Sequence, residues 1–92
     1  MNKDIQKFID IVISKYGTEH QVTVAIEELS ELQKELCKFI RRNGNLSNIA
    51  EEIADVQLML WQMQTVFDVR QEEVERRVKY KIDRTISEIC SS

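Results

Sequence analysis

The segment from Ile49 to Phe67 is apolar on two opposite sides, and this limits the folds open to the chain more than any other feature. At ~100° per residue, Ile49, Ile53, Val56, Leu60, Met63 and Phe67 make one helical stripe, and Ala50, Ala54, Leu58 and Trp61 make a second on nearly the opposite side. A helix that is apolar on both sides is buried on both sides. One layer of four helices from 92 residues hardly covers it. The pattern therefore predicts an oligomer, most simply a dimer, with this helix in its core.

The remaining residues read as three further helices in one all-α, four-helix bundle-like domain spanning 1–92. Two glycines and no proline leave few places where a helix would break. Ile5, Phe8, Ile9, Val12, Ile13 and Tyr16 recur at helical spacing, and Gly17 reads as their C-cap. Val22, Ala25, Ile26, Leu29, Leu32, Leu36 and Ile40 form one face of a second helix. Arg41 and Arg42 suit the negative end of its dipole, and Asn43-Gly44-Asn45 stops it. Asn45 or Ser47 caps the third helix. Asp68 reads as the N-cap of the fourth, with Gln71 completing a capping box and Val74, Val78, Ile82, Ile86 and Ile89 as its stripe.

Composition excludes some functions. A net charge of −3 weighs against a nucleic-acid partner. No apolar run reaches the ~18 residues of a membrane span, and charges in the first turns do not fit a signal peptide. Cys37 and Cys90 lack metal-ligand spacing and read as reduced thiols of a cytoplasmic protein.

The carboxylates carry the chemical signal. EELSELQKEL (Glu27–Leu36) is echoed by EEIADVQLML (Glu51–Leu60). With Asp55 at 0°, Glu52 falls near ~60° and Met63 near ~80°, so both acids border the main apolar stripe of the third helix. Glu28 lies beside Leu32 and Phe39 on the second helix, and Glu31 is one step away. Residues i and i+3 are neighbours on a helix, so Glu28/Glu31 and Glu52/Asp55 are two pincers. Glu51, Glu52 and Asp55 have no basic residue within four positions downstream. Desolvating four carboxylates is costly without cations, which would be Lys, Arg or a hard metal ion. Oxygen-only ligands suit Mg²⁺ or Mn²⁺. A di-iron site needs Glu-x-x-His pairs, and the single histidine, His20, is not placed to supply one. The competing reading is a solvated acidic face. A straight hairpin turning near Gly44 sets the pincers out of level. The second helix therefore ends before Gly44, the connection folds back, or the helices cross steeply.

ELSE (Glu28–Glu31) and EIAD (Glu52–Asp55), within IEELSELQKEL and IAEEIADVQLML, resemble the E-x-x-E and E-x-x-D motifs of the MazG-like all-α nucleoside triphosphate pyrophosphohydrolases. The resemblance covers roughly residues 16–67. It implies that Glu28, Glu31, Glu52 and Asp55 hold Mg²⁺ and act on a nucleoside triphosphate. Hydrolysis between the α and β phosphorus would then give a monophosphate and pyrophosphate. That chemistry requires charge neutralisation and positioning, with a carboxylate as base, rather than a covalent nucleophile. Met59 is a departure, because many relatives carry a tyrosine there.

Lys38 shares a side of the second helix with Glu28, Glu31 and Glu35, and either neutralises these acids or contacts phosphate. Arg77, Lys81 and Arg84 flank the stripe of the fourth helix and are candidates to reach a triphosphate, weighed against a solvated face. Glu27 and Glu51 read as surface residues or as supports behind the ligands, rather than as ligands themselves, and Trp61 as a packed residue of the oligomer core. His20 and Gln21 either line a base pocket or serve at the helix start. The expectation is a Mg²⁺-dependent (d)NTP pyrophosphohydrolase that forms a homodimer or homotetramer. Its rivals are a non-catalytic helical oligomerisation module and an enzyme of the related phosphoribosyl-ATP pyrophosphohydrolase type.

Overall fold

Asn2 accepts a hydrogen bond from the Ile5 N–H at 2.9 Å and starts helix α1, Lys3–Tyr16. In the computed structural model, which describes residues 2–91, three more helices follow: α2 (Thr18–Ile40), α3 (Leu46–Val66) and α4 (Gln71–Cys90). No strand occurs among the described residues, and no helix is long and apolar enough to cross a membrane.

Gly17 alone separates α1 from α2. Its φ of 88° and ψ of 160° lie in a region essentially closed to other residues. Its N–H donates to the Ile13 carbonyl at 2.8 Å and closes α1. The second connection is built differently. Arg42 has φ 64°, its N–H donates to Phe39 O, and the Asn43 N–H donates to Lys38 O, both at 2.9 Å. These paired bonds make a Schellman ending, with Arg42 in the left-handed place glycine usually takes. Gly44 serves close approach instead, since a Cβ there would stand 2.7 Å from Phe39 Cα. Helix α2 thus ends before Gly44, one of the three ways to level the pincers. Asn45, rather than Ser47, caps α3 by accepting from the Ser47 and Asn48 N–H groups.

The start of α4 corrects the expectation. Asp68 does not cap it. Asp68 has φ 53°, its N–H donates to Thr65 O, and the Val69 N–H donates to Gln64 O, so Asp68 terminates α3 by a second Schellman motif. Arg70 precedes α4 without a side-chain cap.

Helices α1, α2 and α3 pack on one another, while α4 stands off them and buries no residue. A radius of gyration of 16.2 Å exceeds the roughly 12 Å of a compact chain this long, as an extended α4 requires. Four helices are present, but within one chain the packed unit is α1–α3. Its core holds Ile9, Ala25, Val56 and Met59.

The faces of α2 and α3 are turned part of the way from the expected directions, with Ala25 and Val56 of the expected stripes buried. Ile26, Leu29, Leu36 and Ile40 of α2 are exposed, as are Ile53 and Leu60 of α3 and Phe67 just after it. The buried seam between the two helices instead carries Gln21, Glu35 and Gln62, with Glu28, Glu52 and Asp55 half-buried along it. An apolar stripe turned outward leaves the polar positions to meet across the α2–α3 contact.

Gly17→Ala forces a side chain into a glycine-only conformation. It is expected to cost about 1–3 kcal/mol in urea denaturation, and an unchanged midpoint would contradict the role given to this turn.

Candidate functional site

The α2–α3 seam brings three of the four candidate acids together. Carboxylate oxygens of Glu28, Glu52 and Asp55 all lie within 4.8 Å of one another. Glu28 arrives from α2 and the other two from α3, so the group exists only because these helices pack with level ends. Glu31 is exposed and outside this trio, although its charge repels both Glu28 and Glu52. Glu27 and Glu51 face solvent, as read from the sequence.

Burial raises the Glu28 carboxyl above its ordinary 4.5, and repulsion from Asp55, a hydrogen bond with Asp55, and the charges of Glu52 and Glu31 add to it. Burial likewise raises Glu52, with repulsion from Asp55, Glu31, Glu35 and Glu51 behind it. Glu52 Oε2 is buried and has no hydrogen-bond partner. Glu35 Oε1 is likewise buried without a hydrogen-bond partner among the described residues, and the three converging carboxylates are oxygen donors of the type that could hold a hard divalent cation.

Sequence reasoning did not single out Glu35 as a site residue, yet it is 6% exposed and adjoins Glu52. Its signal was the i, i+3, i+7 series of Glu28, Glu31 and Glu35, which lines one helix face. Lys38 Nζ lies 3.1 Å from Glu35 Oε2. That contact holds the Glu35 carboxyl below 4.5 against the opposing effect of burial, with Asn48 helping. Of the two uses weighed for Lys38, neutralising an acid is the one seen.

A cleft of about 360 Å³ opens beside the acids and shares Glu28 and Asp55 with them. Phe8, Val12, Val24, Leu58 and Met59 supply apolar walls, and Tyr16, His20, Gln21 and Gln62 also line it. Met59, the departure noted in the sequence, is thus a wall residue. The one-residue turn at Gly17 lets Tyr16 stack on His20, with centroids 5.2 Å apart. Trp61 is half-buried elsewhere on α3 and does not line the cleft.

A single chain does not bring Arg77, Lys81 and Arg84 to the carboxylates, because they lie on α4, which stands off the seam. Arg77 pairs with Glu73 at 2.9 Å, Arg84 lies 3.9 Å from Glu88, and Lys81 is exposed.

Comparison of the chain with known protein families, curated proteins and solved structures finds no match.

The raised carboxyls fix a pH dependence. A group that binds its proton more tightly when folded stabilises the fold below its unfolded value and loses that contribution as pH rises through its folded value. In EDTA, the Glu28 and Glu52 contribution should therefore fall as pH rises from 4.5. Glu35 and Glu73, both lowered, act below 4.5, where their contribution is lost as pH falls. Thermal melts across this range should decline less steeply above pH 4.5 in Glu52→Gln than in the wild type. Identical slopes would contradict the repulsion.

Proposed function

We propose that the protein is a divalent-cation-dependent nucleoside triphosphate pyrophosphohydrolase of the MazG-like kind, releasing a nucleoside monophosphate and pyrophosphate. The observation that carries this reading is the junction at Glu28 and Asp55 of a three-carboxylate cluster with an apolar-walled cleft. The cluster suits a cation that binds polyphosphate, and the cleft suits a base and sugar attached to it.

Glu28, Glu52 and Asp55 would hold the ion, Mg²⁺ or Mn²⁺, with Glu31 beside them. Bound there, the ion supplies neutralisation of the polyphosphate charge and activation of water. The chain's own residues do the rest. The walls from α1, α2 and α3 seat the base and exclude water from one side of the sugar. The Glu35–Lys38 pair removes one negative charge from the seam, so the phosphates meet fewer uncompensated carboxylates. Glu31, outside the trio, accepts the proton of the attacking water. Self-association as a dimer or tetramer belongs to the same reading, because the outward apolar faces of α2 and α3 lack cover in one chain. A second copy could also supply the basic side chains that α4 does not bring to its own site.

The test is product analysis with a panel of ribo- and deoxyribonucleoside triphosphates, in Mg²⁺ and in EDTA, alongside sedimentation of the same samples. The expected result is pyrophosphate release that needs the ion and falls at least about 100-fold in Glu52→Gln, from a dimer or tetramer. Orthophosphate as product would refute the site of cleavage. No turnover by a folded oligomer would leave the non-catalytic helical module as the better account.

A further inference from the structure

Away from the carboxylates, the cleft reaches two buried amides. Gln21 is 4% exposed and Gln62 is 3% exposed, and both line the cleft. Gln21 Nε2 donates to Gln62 Oε1 at 2.7 Å, across the α2–α3 seam. His20 Nδ1 lies 2.9 Å from Gln21 Oε1. The amides stand seven positions from the acids on both helices, Gln21 to Glu28 and Asp55 to Gln62. At ~1.5 Å per residue this is about 10 Å, so the cleft has an acidic end and an amide end.

Each primary amide offers two donors and one acceptor oxygen. The Gln21 oxygen faces His20, and the Gln62 oxygen is taken by Gln21. The Gln62 Nε2 group makes no hydrogen bond among the described residues. That amino group belongs to a residue lining the cleft and has no protein partner there, so a ligand with a matching acceptor can bond to it without displacing one.

We propose that Gln62 reads the hydrogen-bonding edge of a nucleobase and that His20, acting through Gln21, sets which atom Gln62 presents. The proposal rests on the triphosphate reading above. With the proton on His20 Nδ1, the ring donates to Gln21 Oε1. That turns Gln21 Nε2 toward Gln62 Oε1 and leaves the Gln62 –NH₂ for the ligand. With the proton on the other ring nitrogen, both amides turn over and Gln62 offers its oxygen. Tyr16 stacks on His20 at 21° and fixes the ring plane, and the first arrangement is the one in which Gln21 donates to Gln62 as found. The site then favours a base with a carbonyl oxygen at its edge over one with an amino group there, which would set donor against donor. Gln62 is the specificity-determining contact, and Gln21 and His20 are positioning residues.

Deoxyuridine and deoxycytidine triphosphates differ at that edge by oxygen against amino. Their α,β-imido analogues, titrated in Mg²⁺ against the wild type, Gln62→Met, Gln62→Glu and His20→Phe, read the preference as a ratio of affinities. Pyrophosphate release from the parent nucleotides is followed in parallel. The wild type should favour the uracil nucleotide about tenfold or more. Gln62→Met should bring the ratio close to one. Gln62→Glu, which presents only acceptors, should reverse it, a result that loss of structure cannot produce. His20→Phe keeps a ring for Tyr16 but removes the donor, and should shrink the ratio. If circular dichroism finds Gln62→Met unfolded, the His20→Phe ratio decides. Equal affinities or a cytosine preference in the wild type, or a ratio unchanged in these variants, would overturn the inference. Pyrophosphate release would then still stand for the triphosphate reading, whereas no binding and no release would overturn both.

Discussion

Three carboxylates meeting between α2 and α3 are the contact on which the other features of this structure depend. Glu28, Glu52 and Asp55 repel one another, and burial raises Glu28 and Glu52 further. Packing apolar side chains at the same positions would stabilise the pair of helices more simply. The connections are built to hold the acids level all the same. The Schellman ending at Arg42 and the close approach of Gly44 to Phe39 bring α3 back along α2 at the needed height. The same seam carries a fourth acid, the buried Glu35, whose charge is met by Lys38, and the Gln21–Gln62 amide pair. Polar groups share with Ala25, Val56 and Met59 an inward face that hydrophobic residues alone occupy in most helix pairs.

The displaced hydrophobic residues account for the outer surface. Ile26, Leu29, Leu36 and Ile40 line one side of α2, and Ile53, Leu60 and Phe67 repeat every seven residues along α3 and its C-cap. These are faces built for burial, left uncovered in one chain. α4 follows the same logic, since Val78, Ile82, Ile86 and Ile89 are exposed on a helix that buries no residue against its own chain. A seam that mixes polar groups with a small apolar core, and carries apolar faces outside, is coherent if the site lies within each α2–α3 pair and a larger apolar core lies between copies.

Much of this was legible in the amino-acid order, and the failures have physical causes. Helical periodicity located all four helices, because their stripes are long and glycine is scarce. Gly17 was legible as a cap, and Asn45 as one of two candidates beside Ser47, because capping chemistry is local. Asp68 was not, since the same short side chain suits a left-handed C-terminal position and an N-cap, and the backbone bonds of Val69 decide between them. The acid pairs were found by i, i+3 spacing, but a helical wheel says which side chains share a face and not which face meets a neighbour. For that reason Glu35 was read only as a neighbour of Lys38, the Gln62 amide passed unnoticed, and Glu31 was set level with Glu28. Contacts across 41 residues, such as Gln21 to Gln62, have no local signature at all.

The proposed function requires that the Glu28–Glu52–Asp55 group take up a divalent cation. Crystals of the protein soaked in Mn²⁺ and measured at the manganese absorption edge test it most directly. The account predicts an anomalous peak bounded by carboxylate oxygens of these three residues, and no peak there in crystals of Glu52→Gln. A wild-type map with no peak at the three acids, or with Lys38 swung in to neutralise them, would contradict it.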